Sequence, residues 1–466
     1  MALGISWFWP WLVATLVILA TIHIVLQSQK IKEKIIASLP VVVGDTVLFL
    51  REPSDFLLRT FARCGDYFTI TTLTGAKMTV VNSPEAIKFI LMNSHKSFSD
   101  GYTKEFKRLI GEGKFQDPDR HSVYKKGVLG IVTGEGLQRL FPLINSLAQK
   151  TVESWENQLV VNTSDEAHKF AFKGGMLAAW RNEEMDSMDM EEIRNNLLIL
   201  REAVTAIPIN FPGFYYHKAL KAKRALESRI QKELFKRRKF GHETNDFLNF
   251  FMSVKEFEVS DYDIICMMNA MVFASASSTS GLIPWVIKYL HDFPEVLQHV
   301  QDEQDSIKQR MAEEIKSTSF SWFKMKSNMP YTQQVINEVL RIEPLSPLIP
   351  RQVKENVEYK GFVFRKGSTV WAAMSSVQLS PDHFPNPRKF DPSRFEVTPK
   401  PGTFIVFGTG PNMCPGAELT RMQTLLLIHH LVTNYRWKRC GPEEIVSTPV
   451  RRVMGYPICL AKRHDQ

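Results

Sequence analysis

The ten residues Phe407-Gly408-Thr409-Gly410-Pro411-Asn412-Met413-Cys414-Pro415-Gly416 constrain this chain more than any other stretch. Three glycines and two prolines cannot continue a helix or a strand, so the segment is a turn. A helical pattern follows, Glu418–Asn434, so the turn presents one cysteine at a helix start. Glycines there let the backbone approach a flat partner closely. Backbone N–H groups at the turn and the helix start favour a thiolate over a thiol. No second cysteine or histidine stands at ligand spacing, which excludes a zinc site.

The chain around this loop is 466 residues long. Strand-like runs lie early, at 67–72 and 77–81, and late, at 357–364 and 369–373. Between them the pattern is helical, over 136–159, 190–205, 217–235, 261–290 and 294–315. The order lacks regular strand–helix alternation, so the expected fold class is mainly α, of the α+β type. Residues 380–415 are rich in Pro, Asn, Asp and Gly, and a long irregular stretch of that kind is expected to be functional.

Met1–Gln29 contains no Asp, Glu, Lys or Arg, and the run from Trp7 to Leu26 is almost wholly apolar. About 20 such residues span a bilayer. Lys30, Lys32 and Lys34 follow at once, which puts the body of the chain on the cytosolic side. The expected division is therefore a membrane anchor, 1–29, and a body, 30–466, with no further spanning segment. Five cysteines with no CxxC pair fit a reducing compartment. Lys and Arg exceed Asp and Glu by 58 − 49 = +9, which suits an anionic membrane, an acidic protein or a nucleic acid.

A single thiolate can be the axial ligand of a haem iron, and here the chain resembles the cytochrome P-450 superfamily. Glu338-Val339-Leu340-Arg341 matches that family's E-x-x-R, whose charged pair shares one helix face. Phe390-Asp391-Pro392-Ser393-Arg394-Phe395 resembles the element whose arginine completes a triad with that pair. The resemblance implies a P-450 fold with heme b on Cys414. Glu338, Arg341 and Arg394 would be structural, while Lys125, Arg351, Asn412 and Phe407 would meet the cofactor. It also implies a monooxygenase on the endoplasmic reticulum membrane, supplied with electrons by a separate NADPH–cytochrome P-450 reductase. No GxGxxG or P-loop binds NADPH on the chain itself. A partnership with nucleic acid is not expected. The segments 207–223, 401–404 and 459–462 resemble the plant ent-kaurenoic acid oxidase family, with its triterpene- and steroid-oxidising relatives. An apolar polycyclic terpenoid or steroid substrate would follow.

The chain departs from the family pattern in Phe273-Ala274-Ser275-Ala276-Ser277-Ser278-Thr279. Ser275 stands where the family has glycine, and Ser277 where it has an acid. Ser277, Ser278 and Thr279 are the candidate proton path, although a carboxylate relays protons better near pH 7. Asn412 stands where a basic residue is usual, and Pro284 is expected to distort the helix. These departures keep two alternatives open, a haem-thiolate isomerase or dehydratase, and a non-catalytic haem- or ligand-binding paralogue. The basic run Lys236-Arg237-Arg238-Lys239 is expected to be a solvated face or a membrane contact, and Asn162-Thr163-Ser164 an unused glycosylation sequon.

Overall fold

A computed structural model describes residue 49 and residues 53–71, 77–111, 113, 117–181, 187–204, 206–241, 244–314, 321–446 and 452–463. The expected anchor, residues 1–29, lies outside them. The fold is mainly helical with small sheets at its margins.

The helix Asp261–Asp292 runs through the centre of the helical body. Ser260 caps it, its hydroxyl accepting from the Asp263 N–H at 3.1 Å, and Asp261 and Asp263 complement the helix dipole in its first turn. No charged residue occurs from Ile264 to Ile287, and the helix is long and apolar enough to cross a membrane (mean hydropathy 1.4). This corrects the expectation that no stretch beyond the N-terminus reaches that length. Val272, Ala276, Leu282, Trp285 and Val286 are instead buried against other helices, so protein supplies the apolar surroundings. The helix continues through Pro284 without a break.

Its most extensive neighbour is the helix Thr163–Ala179, which the sequence pattern did not reveal. Asn162, the supposed sequon residue, caps that helix by accepting from the N–H groups of Ser164 and Asp165. Gly175 permits the close approach of the two helices. A Cβ there would come within 2.3 Å of Ser275 Oγ. Ser275 therefore directs its bulk into the space left by Gly175, and its hydroxyl donates back to the Val272 carbonyl at 3.0 Å.

A five-stranded sheet carries the strands in the order Tyr67–Thr71, Lys77–Val81, Thr369–Ala372, Ile349–Val353, Phe98–Asp100. Only the Lys77–Val81/Thr369–Ala372 pair is parallel. The expected strand over 357–364 is a hairpin, Val357–Tyr359 with Phe362–Phe364. Lys360 and Gly361 at its tip both have positive φ, 48° and 81°, as a two-residue hairpin turn requires.

The basic run also differs from expectation. Arg237 is buried, and donates to Glu233 at 2.8 Å and to Asp246 at 2.8 Å and 2.9 Å. It ties the helix Tyr215–Phe240 to the cap of the helix Phe247–Ser253.

Candidate active site

The cysteine loop is held by its own backbone. Gly408 N–H donates to the Ile405 carbonyl at 2.7 Å, Met413 N–H to Gly410 at 3.0 Å, and Cys414 N–H to Phe407 at 2.9 Å. Gly408 and Gly410 have φ of 72° and 76°, which a side chain would strain. Gly410 also lies against the neighbouring helix, where a Cβ would come within 2.6 Å of the Leu91 carbonyl oxygen. The helix Ala417–Asn434 begins directly behind the loop.

Cys414 faces a cavity of about 500 Å³. Burial pushes its thiol above the usual range, while the Gly416 N–H and the nearby Lys125 ammonium pull it back. The expected preference for thiolate is thus outweighed by desolvation in the protein alone. A bound cation would supply the missing charge, because a coordinating thiol is deprotonated outright.

A buried ion-pair group lies on the helix Pro330–Ile342. Arg341 donates to Glu338 through Nε and Nη2, each at 2.7 Å, and through Nη1 to the Gln378 carbonyl at 2.8 Å. Arg394 Nε lies 3.3 Å from Glu338 Oε1, which also accepts from the Asp391 N–H at 3.0 Å. The three residues expected to form a triad are therefore together. Burial pushes the Glu338 carboxyl up, opposed by Arg341, the Asp391 N–H and Arg394. The group fastens the helix Pro330–Ile342 to the short turn Pro392–Phe395.

Cations line one edge of the cavity. Lys125, on the helix Pro118–Val132, donates to the Pro411 carbonyl of the loop at 2.6 Å. Arg351 is buried, and donates to Ser94 Oγ at 3.1 Å and the Pro350 carbonyl at 2.9 Å. Asn412 is held by His95, whose Nε2–H donates to Asn412 Oδ1 at 2.7 Å. The His95 and His121 rings lie 4.9 Å apart, and burial lowers His121 to about 4. His95 escaped sequence reasoning because it lies 317 positions from its partner. Its φ of 78° lies in the left-handed region.

Met267, Ala270, Met271 and Ser278 of the long helix line the wall shared with Thr420. Of the three candidate relay residues only Ser278 lines the cavity. Ser277 donates to the Phe273 carbonyl at 2.8 Å and Ser278 to Ala274 at 3.0 Å, while the buried Thr279 turns to Thr420. Sequence reasoning missed Thr420, since nothing in its neighbourhood marks it.

A haem fits these residues. Phe407 and Gly408 line the cavity with one sulfur donor, Met267 and Met271 add apolar surface to it, and Lys125 and Arg351 could pair with acidic ring substituents. A buried guanidinium such as Arg351 calls for an anion.

Comparison with known proteins agrees with this geometry. The family model "Cytochrome P450", written here as cytochrome P-450, matches residues 40–455. Abscisic acid 8'-hydroxylase 1 of Arabidopsis thaliana is 34% identical over 428 residues, covering 91% of this chain and 90% of the relative. A tomato (Solanum lycopersicum) abscisic acid 8'-hydroxylase is 34% identical over 406 residues, covering 86% of this chain and 84% of the relative. Among solved structures, retinoic acid-bound cyanobacterial CYP120A1 superposes with a TM-score of 0.79 at 20% identity, covering 90% of this chain and 96% of that one. The last shows the fold, and the first three show the family. A heme b cofactor, with electrons from a reductase, comes with that family. This chain belongs to the cytochrome P-450 family and is a monooxygenase.

Proposed function

We propose that the chain is a membrane-anchored hydroxylase of an apolar isoprenoid, with Cys414 as the iron ligand and a separate NADPH reductase as the electron source. The observation that carries this reading is that Cys414 lines one cavity together with Met267, Ala270, Met271 and Ser278. Two relatives that cover most of the chain carry the name of hydroxylases, which favours oxygen insertion over the isomerase reading. Abscisic acid is itself an isoprenoid, so the substrate class widens from polycyclic skeletons to smaller isoprenoid acids.

When bound, the haem supplies the activation of O₂ for insertion into a C–H bond. The protein's part is positional. The loop bonds fix the sulfur, and the Glu338–Arg341–Arg394 group fixes the loop. Lys125 and Arg351 would pair with acidic substituents of the haem. Met267, Ala270 and Met271 give an apolar face that orients substrate and excludes water. The run 1–29 anchors the chain to the endoplasmic reticulum membrane, with 30–466 as the cytosolic catalytic body. Reconstitution with an NADPH reductase against abscisic acid, diterpenoids, triterpenoids and sterols tests the reading. NADPH-dependent hydroxylation of one of these classes is the expected outcome, and a product that forms without NADPH or reductase would overturn it.

A further inference from the structure

A second cavity, of about 390 Å³, opens between the helices Gly134–Glu156 and Thr163–Ala179 and shares no lining residue with the cavity that Cys414 lines. Leu143, Leu147 and Lys150 stand at i, i+4 and i+7 on the first helix, so they share one face. Lys173, Met176, Leu177 and Trp180 repeat that spacing on the second helix and its C-cap. Only residues 157–162 join the two helices, which makes them antiparallel neighbours. Lys150 and Lys173 therefore lie toward the end of the groove nearer that connection, and Leu143 and Trp180 toward the other end. From Leu143 to Lys150 the helix rises about 10 Å.

The lining pairs apolar surface with positive charge. Leu143, Leu147 and Leu177 are half-buried, and the groove leaves part of each uncovered. Lys150 and Lys173 are exposed, Arg181 is half-buried, and no described acidic residue lines the groove with them. None of these three cationic groups has an ion-pair partner among the described residues. Trp180 is buried, at 2% exposure, and its Nε1–H finds no acceptor. The volume lies within the range of small-molecule sites. A simple inorganic anion would meet the cations but leave the leucines wet, and a neutral apolar molecule would leave the cations unanswered.

We propose that this groove binds a free medium-chain carboxylic acid, with its carboxylate between Lys150 and Lys173 and its apolar body along Leu147, Leu143 and Leu177 toward Trp180. The site is separate from the haem cavity, so both can be filled at once.

The test uses the full-length holoenzyme in nanodiscs of neutral phosphatidylcholine, with the haem iron blocked by a saturating azole so that the first cavity is closed to the probe. A diazirine-bearing dodecanoic acid is photolysed and the labelled peptides are mapped by mass spectrometry. Label is expected within 143–150 and 173–181, displaced by dodecanoate about tenfold more readily than by dodecanol. Lys150→Met/Lys173→Met keeps apolar stems without charge, and is expected to remove that acid–alcohol difference while retaining the parent's haem content. Leu147→Trp/Leu177→Trp, which fills the groove, should lose the label altogether. Label outside the two segments, equal displacement by acid and alcohol in the parent, or an unchanged preference in Lys150→Met/Lys173→Met would overturn the proposal. So would a more than twofold loss of label in nanodiscs containing phosphatidylglycerol, which would make an anionic membrane lipid the occupant. If the double lysine variant fails to retain haem, Lys150→Met and Lys173→Met singly decide, each expected to lose part of the preference.

Discussion

Glu338 and Arg341 stand one helical turn apart, both fully buried, and are joined by two hydrogen bonds of 2.7 Å. Removing one member leaves an uncompensated buried charge, so Glu338→Ala or Arg341→Ala is expected to cost about 3–5 kcal/mol. Arg394→Ala, which removes a more distant and partly exposed partner, should cost less. Denaturant unfolding of the three variants checks the order, and an Arg394→Ala loss as large as that of Arg341→Ala would contradict it.

Gly410 combines a positive φ with a close approach to Leu91, whereas Gly408 has the positive φ alone. Gly410→Ala is therefore expected to disrupt the cysteine loop and abolish haem retention. Gly408→Ala should carry only the left-handed backbone cost, about 1 kcal/mol. Haem content after purification distinguishes the two.

The cysteine loop, the ion-pair helix and the central helix were legible because each carries its information locally, as glycines at fixed spacing or as apolar periodicity. Phe407, Cys414, Lys125, Arg351 and Asn412 do meet at one cavity. The pairings His95–Asn412 and Thr279–Thr420 were not legible, because they join elements 317 and 141 positions apart. The burial of Arg237 was hidden for another reason, since its partner Asp246 is near in sequence but lies beyond the end of the helix, on the cap of the next one. How the fold accommodates Ser275 in place of glycine was not legible either, because Gly175, which makes room for it, lies on another helix.

Two buried histidines make the fold acid-sensitive. Burial lowers His168 and His429 to about 3 each, and His429 shares a hydrogen bond with Gln304 at 2.8 Å. An unfolded chain protonates these rings near pH 6.5, while the folded chain keeps them neutral until far lower pH. The unfolded state thus binds more protons between those limits. Stability is full above pH 6.5 and is lost as pH falls toward 3. At pH 5 each histidine should cost about 2 kcal/mol relative to pH 7. Unfolding of His429→Gln against the parent at pH 7 and pH 5 checks this. The variant is expected to lose less stability than the parent between the two, and an equal loss would contradict the assignment.

Arg351 is a buried cation at the cavity edge, and desolvation lowers its pKa. Arg351→Met should be tolerated by the haem-free protein but release haem several-fold faster, as followed by transfer to an excess of a haem-binding acceptor. An unchanged release rate would show that Arg351 serves the sheet rather than the cofactor.

The most direct test of the central claim, that Cys414 is the thiolate ligand of this monooxygenase, is the CO-bound spectrum of the reduced protein before and after Cys414→Ser. The parent is expected to show the red-shifted Soret band of a thiolate haem, and Cys414→Ser to lose it while other variants that retain haem keep it. A Cys414→Ser protein with the parent's band would contradict the account.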